Sequence, residues 1–149
     1  MKLKVISLII IVVVVVSCNK SIESDLSLKT KLDEIILSNQ TEINFDKIAD
    51  FEWDQLLILP PYSITKKIEE KLSIDLSIVK NSKIESRDDI NLLAFLKDGK
   101  AIIKVNYPRY PGDFTIDDYI ITSRKNAIFT IKQFKELSSG TKYISLKLY

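Results

Sequence analysis

Histidine is absent from all 149 residues. That excludes the Ser-His-Asp and Cys-His arrangements of nucleophilic catalysis and the usual transition-metal sites. The single cysteine, Cys18, has no partner for an intramolecular disulfide, and an unpaired thiol in an exported chain needs an explanation. Glycine stands only at positions 99, 112 and 140, so no phosphate-cradling glycine loop exists. Three glycines and four prolines are too few for a disordered stalk, and no repeat or low-complexity tract interrupts the chain. A spanning hydrophobic run is missing as well. Val5–Val16 holds eleven aliphatic residues and one serine, short of the roughly 20 apolar residues a transmembrane helix needs.

What the N-terminus does contain is a basic start, Lys2 and Lys4, followed by that apolar run, which together read as an export signal. A small-residue A-x-A cleavage site is absent. The string Val15-Val16-Ser17-Cys18 stands there instead, and it resembles the lipobox of bacterial lipoproteins. The resemblance implies cleavage between Ser17 and Cys18, a lipid on the Cys18 sulfur, and a place at the cell membrane or outer membrane on the extracytoplasmic side. Two acyl chains anchor stably where one does not. Residue 19 is Asn rather than the Asp of the inner-membrane retention signal. The alternative is an uncleaved anchor with an incidental cysteine. The expected layout is a signal peptide over 1–17, a lipidated N-terminus and short tether over 18–24, and one domain over 25–149.

The leader carries two lysines and no acid, so the remaining chain has 20 basic side chains against 20 acidic ones. Nucleic-acid binding needs a clear basic excess and is not expected. The balance is uneven along the chain. Residues 19–96 hold 10 basic and 15 acidic side chains, and residues 97–149 hold 10 and 5. Either the halves fold together with interleaved charges, or a bipolar surface awaits a complementary partner.

Leu28, Leu32, Ile35 and Ile36 trace one helical face, which predicts a helix over roughly 25–38. Residues 41–50 fit helix and strand equally. Leu56-Leu57-Ile58-Leu59, closed by Pro60-Pro61, reads as a strand covered on both faces, and Ile64, Ile68 and Leu72 place a second helix over 64–72. Asp98-Gly99 predicts a tight hairpin between 91–96 and 100–107. Ser123-Arg124-Lys125-Asn126 is a second hairpin candidate. The tail alternates, with Ile144, Leu146 and Leu148 on one face. The expected fold is α+β: two N-terminal helices packed on an antiparallel sheet of about five strands.

Phe51-Glu52-Trp53-Asp54, with Pro60-Pro61-Tyr62, resembles a Trp-Asp … Pro-Tyr signature of small uncharacterised bacterial lipoproteins, and no activity comes with that resemblance. Trp53 reads most simply as a core residue whose indole N–H needs an acceptor, with Asp54 receiving that bond or capping a turn. A binding cleft lined by Trp53, Asp54 and Tyr62 is the second reading, and Asp54 as a catalytic acid is the third. Tyr107, Arg109 and Tyr110, broken by Pro108 and Pro111, form an aromatic-basic loop suited to contact or to plain connection. Asp117-Asp118 cannot converge on a metal if the pair lies on a strand. No cofactor, metal or catalytic residue is expected. The expected role is binding or structure: a module for a protein partner or envelope component, with a small-ligand or glycan module and a carboxylate-only hydrolase as alternatives.

Overall fold

The computed structural model describes residues 20–135 and 142–149. At the Asp98-Gly99 turn both residues adopt left-handed backbone, φ 49° and 73°, as a two-residue hairpin loop requires. β3 (Ile90–Lys97) therefore folds straight back onto β4 (Lys100–Pro108). β2 (Gln55–Leu59) pairs antiparallel with β3 on one side and with β6 (Ile120–Ser123) on the other, giving a sheet ordered β4-β3-β2-β6.

The unbroken run in β2 has a direct cause. Successive side chains enter opposite faces, and each face of this sheet bears its own core. Leu56 and Ile58 join Leu93, Phe95 and Val105 in one. Leu57 and Leu59 join Leu92, Ala94 and Leu96 in the other. The second core is closed by Ile68 of α3 (Thr65–Leu72) and by Leu76, Val79 and Ile84, in and beside two 3₁₀ turns (Ser77–Ser82 and Ile84–Ser86).

The first core is closed by α1 (Lys20–Leu37) and a second sheet. Leu28, Leu32 and Ile36 of α1 are buried, as their spacing predicts. Glu42–Asn44 is β1 and Phe45–Ile48 the single turn α2, so the ambiguous 41–50 stretch is strand and helix in succession. Phe45 enters the core edge-on to Phe129, 5.5 Å between ring centres. β7 (Ile128–Lys135) and β8 (Lys142–Leu148) pair antiparallel, and β5 (Gly112–Phe114) joins β8 in parallel, giving the order β1-β7-β8-β5.

The α+β class holds, and the finer expectation does not. Among the described residues there are two four-stranded sheets, one with a parallel pair, and the helices alternate with β1 and β2 instead of preceding the strands. The second hairpin candidate is not a hairpin. Arg124–Asn126 is a 3₁₀ corner at which the chain leaves one sheet for the other. Ser-Arg-Lys-Asn has no glycine for a tight reversal, and its polar side chains suit a solvated corner equally.

Helix α1 begins at Lys20, within the segment expected as a tether, because nothing in Lys20–Ser24 breaks a helix. Its direction follows from its contacts. Lys31 reaches the Ile48 carbonyl and Asp50, beside the start of β2, whereas Asp33 meets Tyr107 and Ile36 lies against Gly112. The C-terminal half of the helix thus passes the end of β4 at Tyr107 and reaches Gly112. Among the described residues no helix is long and apolar enough to cross a membrane.

Candidate functional site

The residues singled out from sequence fall at two opposite ends of β2. Trp53 and Asp54 precede the strand and Tyr62 follows it, so the structure does not bring Trp53 and Tyr62 into one cleft.

At the first end Trp53 is 1% exposed and stands edge-on to Phe95 with ring centres 5.1 Å apart. Its neighbour Asp54 turns outward to the hairpin. One carboxylate oxygen accepts the Asp98 backbone N–H at 2.8 Å, and the other accepts Lys97 Nζ at 2.9 Å. These bonds, the backbone one foremost, hold the Asp54 carboxyl below its ordinary range. Asp54 is therefore a turn cap. It does not receive the indole N–H, which, like the Ser123 hydroxyl, is buried without a hydrogen-bond partner among the described residues.

Arg124 was not foreseen as a site residue. Its guanidinium lies 5.7 Å from the Trp53 ring centre and donates to Asp46 and Glu52, and the Asp46 bond raises its pKa further. Together these residues, with Lys125, line an open groove of about 420 Å³. Asp46 and Glu52 share the Arg124 cation and face solvent. The glycine-free corner at 123–126 was the available sequence signal for Arg124.

At the far end the supposed aromatic-basic loop divides. Tyr107 belongs to β4, is 1% exposed, and donates its hydroxyl to Asp33 at 2.9 Å. Burial, then that bond, pushes its pKa up. Tyr107 continues the alternation of Ile103 and Val105, which carries it inward. Arg109 and Tyr110 are exposed. Arg109 is clamped by Asp113 through Nε at 2.8 Å and a second nitrogen at 2.7 Å, and it donates to the Asp88 carbonyl. Buried Asn91 donates to the other Asp113 oxygen at 2.7 Å.

Tyr62 is 60% exposed with φ 63°, a left-handed conformation that costs a non-glycine residue about 1–2 kcal/mol. Tyr62 N–H donates to the Ile84 carbonyl, and the Ser63 hydroxyl donates to the Pro60 carbonyl, which together hold the turn. Asp117 and Asp118 are both exposed, on a bend leading to β6. Among the described residues no group of three or more acidic or thiol side chains is placed to hold a metal.

Five of the eight ion pairs among the described residues join the acidic and basic halves of the chain, as in Lys97–Asp54 and Arg124–Asp46, so the charges interleave. Ser17 and Cys18 lie outside the described residues. No protein-family model, curated protein or solved structure matches the chain.

Proposed function

We propose that this protein is a lipid-anchored extracytoplasmic module, tethered through Cys18, that holds a protein partner or envelope component close to the membrane. The anchor rests on the basic start, the short apolar run and the Val15-Val16-Ser17-Cys18 string. The binding role rests on one observation: the exposed aromatics occupy open surface. Tyr62, Tyr110, Phe134 and Tyr143 are each at least half exposed, while Trp53, the side chain best suited to line a ligand cleft, is packed inside. Aromatic and arginine side chains on open surface favour protein contact over enclosure of a small molecule.

The second reading is a small-ligand or glycan module. In its favour are the unpartnered indole N–H of Trp53 and hydroxyl of Ser123 next to the Arg124 groove. Isothermal titration with oligosaccharides against wild type and Arg124→Ala distinguishes it.

Replacing Cys18 by Ala tests the anchor. Labelled palmitate and membrane fractionation of the wild type, both lost in the variant, are expected. An intact mass that retains residues 1–17 with a free thiol on Cys18 refutes the anchor.

A further inference from the structure

Asp98-Gly99 is the only place in the chain where glycine follows an aspartate or asparagine. Such a pair carries its own electrophile and nucleophile. The Gly99 nitrogen bonds to the Asp98 carboxyl carbon, and the amide proton leaves as water with one carboxyl oxygen and its proton. Water then opens the five-membered imide at either carbonyl. The product is Asp98 again or an isoaspartyl residue, with no net change in mass. Glycine favours ring closure because no side chain crowds the attacking nitrogen.

The reacting groups are unencumbered. Asp98 is exposed, and its carboxylate has no ion-pair or hydrogen-bond partner among the described residues. The Gly99 N–H has no acceptor among them, and a methyl group built on Gly99 meets nothing within 4 Å. The backbone on either side is pinned. Asp98 N–H donates to Asp54 at 2.8 Å, and the Gly99 carbonyl accepts the Asp75 N–H at 2.9 Å. The Asp75 carbonyl in turn accepts the Ala101 N–H at 2.8 Å. Ring closure requires rotation about the Asp98 Cα–C bond, which lies between the two pinned groups. We infer that Asp98-Gly99 is a latent isomerisation site that the fold keeps silent, with the Asp54 carboxylate and the Asp75 backbone as its two pins.

The turn is a costly place for that reaction. An isoaspartyl residue routes the main chain through its side chain and adds one carbon to the loop. Lys97 and Lys100 close that two-residue loop as directly opposed partners, and β3 feeds both cores. Hairpin turns open locally at less free energy than global unfolding, so the pins decide how often the ring can form.

Incubation of the purified full-length chain in water carrying heavy oxygen tests this. Each passage through the imide leaves one heavy oxygen in the peptide covering Asp98, read by mass, and isoaspartate is read by its altered retention. Folded wild type is expected to take up label at least about tenfold more slowly than the same chain in urea. Asp54→Ala, shown to be folded by circular dichroism, is expected to label about tenfold faster than wild type, the worth of one hydrogen bond to a charged group. Asp54→Asn keeps an acceptor oxygen and is expected to fall between them. Gly112→Ala crowds buried Ile36, away from this turn, and is expected to label at the wild-type rate. Labelling as fast in the folded chain as in urea, or none in either, overturns the silent site. Neither Asp54 variant labelling faster than wild type, or Gly112→Ala labelling as fast as Asp54→Ala, overturns the Asp54 pin.

Discussion

Asp54 and Asp98 stand 44 residues apart, yet the carboxylate of one accepts the backbone N–H of the other at 2.8 Å. This bond ties the entry of β2 to the β3–β4 turn, the two places where the first sheet reverses or begins. Because the Asp54 pKa is lowered on folding, its contribution is complete above the ordinary value of 3.8 and is lost as pH falls through the lowered one. Asp54→Asn is therefore expected to melt below wild type at neutral pH, the gap closing in acid as the wild-type carboxyl protonates. Thermal melts across that range check this, and a gap that persists undiminished in acid contradicts it.

Tyr107 titrates in the opposite sense. Its pKa is raised above the ordinary 10.0, so its contribution is full below that value and is lost as pH rises through the folded one. Tyr107→Phe is expected to cost about 1–2 kcal/mol near neutrality by removing a bond to a carboxylate. It is also expected to remove part of the alkaline loss of stability. Urea unfolding at neutral and alkaline pH measures both.

Gly112 is needed for space and not for its backbone freedom. A methyl group built there comes within 3.1 Å of Ile36 Cγ2 and 3.3 Å of its Cδ1, and Ile36 is fully buried. Gly112→Ala is expected to destabilise by about 1–3 kcal/mol, the usual cost of overpacking. Gly112→Ala in an Ile36→Ala background, which removes both crowded atoms, should recover part of that loss. A purely additive double variant would show that the two side chains do not meet.

Trp53 is the only tryptophan, so its emission reports one place. Buried beside Phe95 and under Arg124, it is expected to emit to the blue of free indole and to resist quenching by iodide. Arg124→Leu should change the emission and lower the melting temperature, since Asp46 and Glu52 lose their common cation. Emission like that of free indole in the native protein would place Trp53 in solvent.

The elements that depend on near neighbours were readable in advance. Leu28, Leu32 and Ile36 announced α1, Asp98-Gly99 announced the hairpin, and Leu56–Leu59 announced a strand covered twice. Pairing between distant segments was not readable. Nothing local in Gly112–Phe114 indicates a parallel alignment with Ile144–Leu146, and the polar Ser123–Asn126 string serves a hairpin or a corner alike. The site fared similarly. Trp53 reads as core from sequence, whereas Tyr107 reads both as the last residue of the 100–107 strand and as part of an aromatic-basic loop, and the alternation from Ile103 decides for the strand. Arg124 escaped because its partners, Asp46 and Glu52, lie more than 70 residues earlier.

The position of β8 inside its sheet bears on how the polypeptide is made. Both β7 and β5 lean on Lys142–Leu148, and β1 leans on β7, so this half of the molecule stays open until those late residues emerge from the ribosome. Such long-range closure is slow compared with local hairpin formation. The β1-β7-β8-β5 sheet accordingly cannot be completed before Lys142–Leu148 is free to pair on both of its edges.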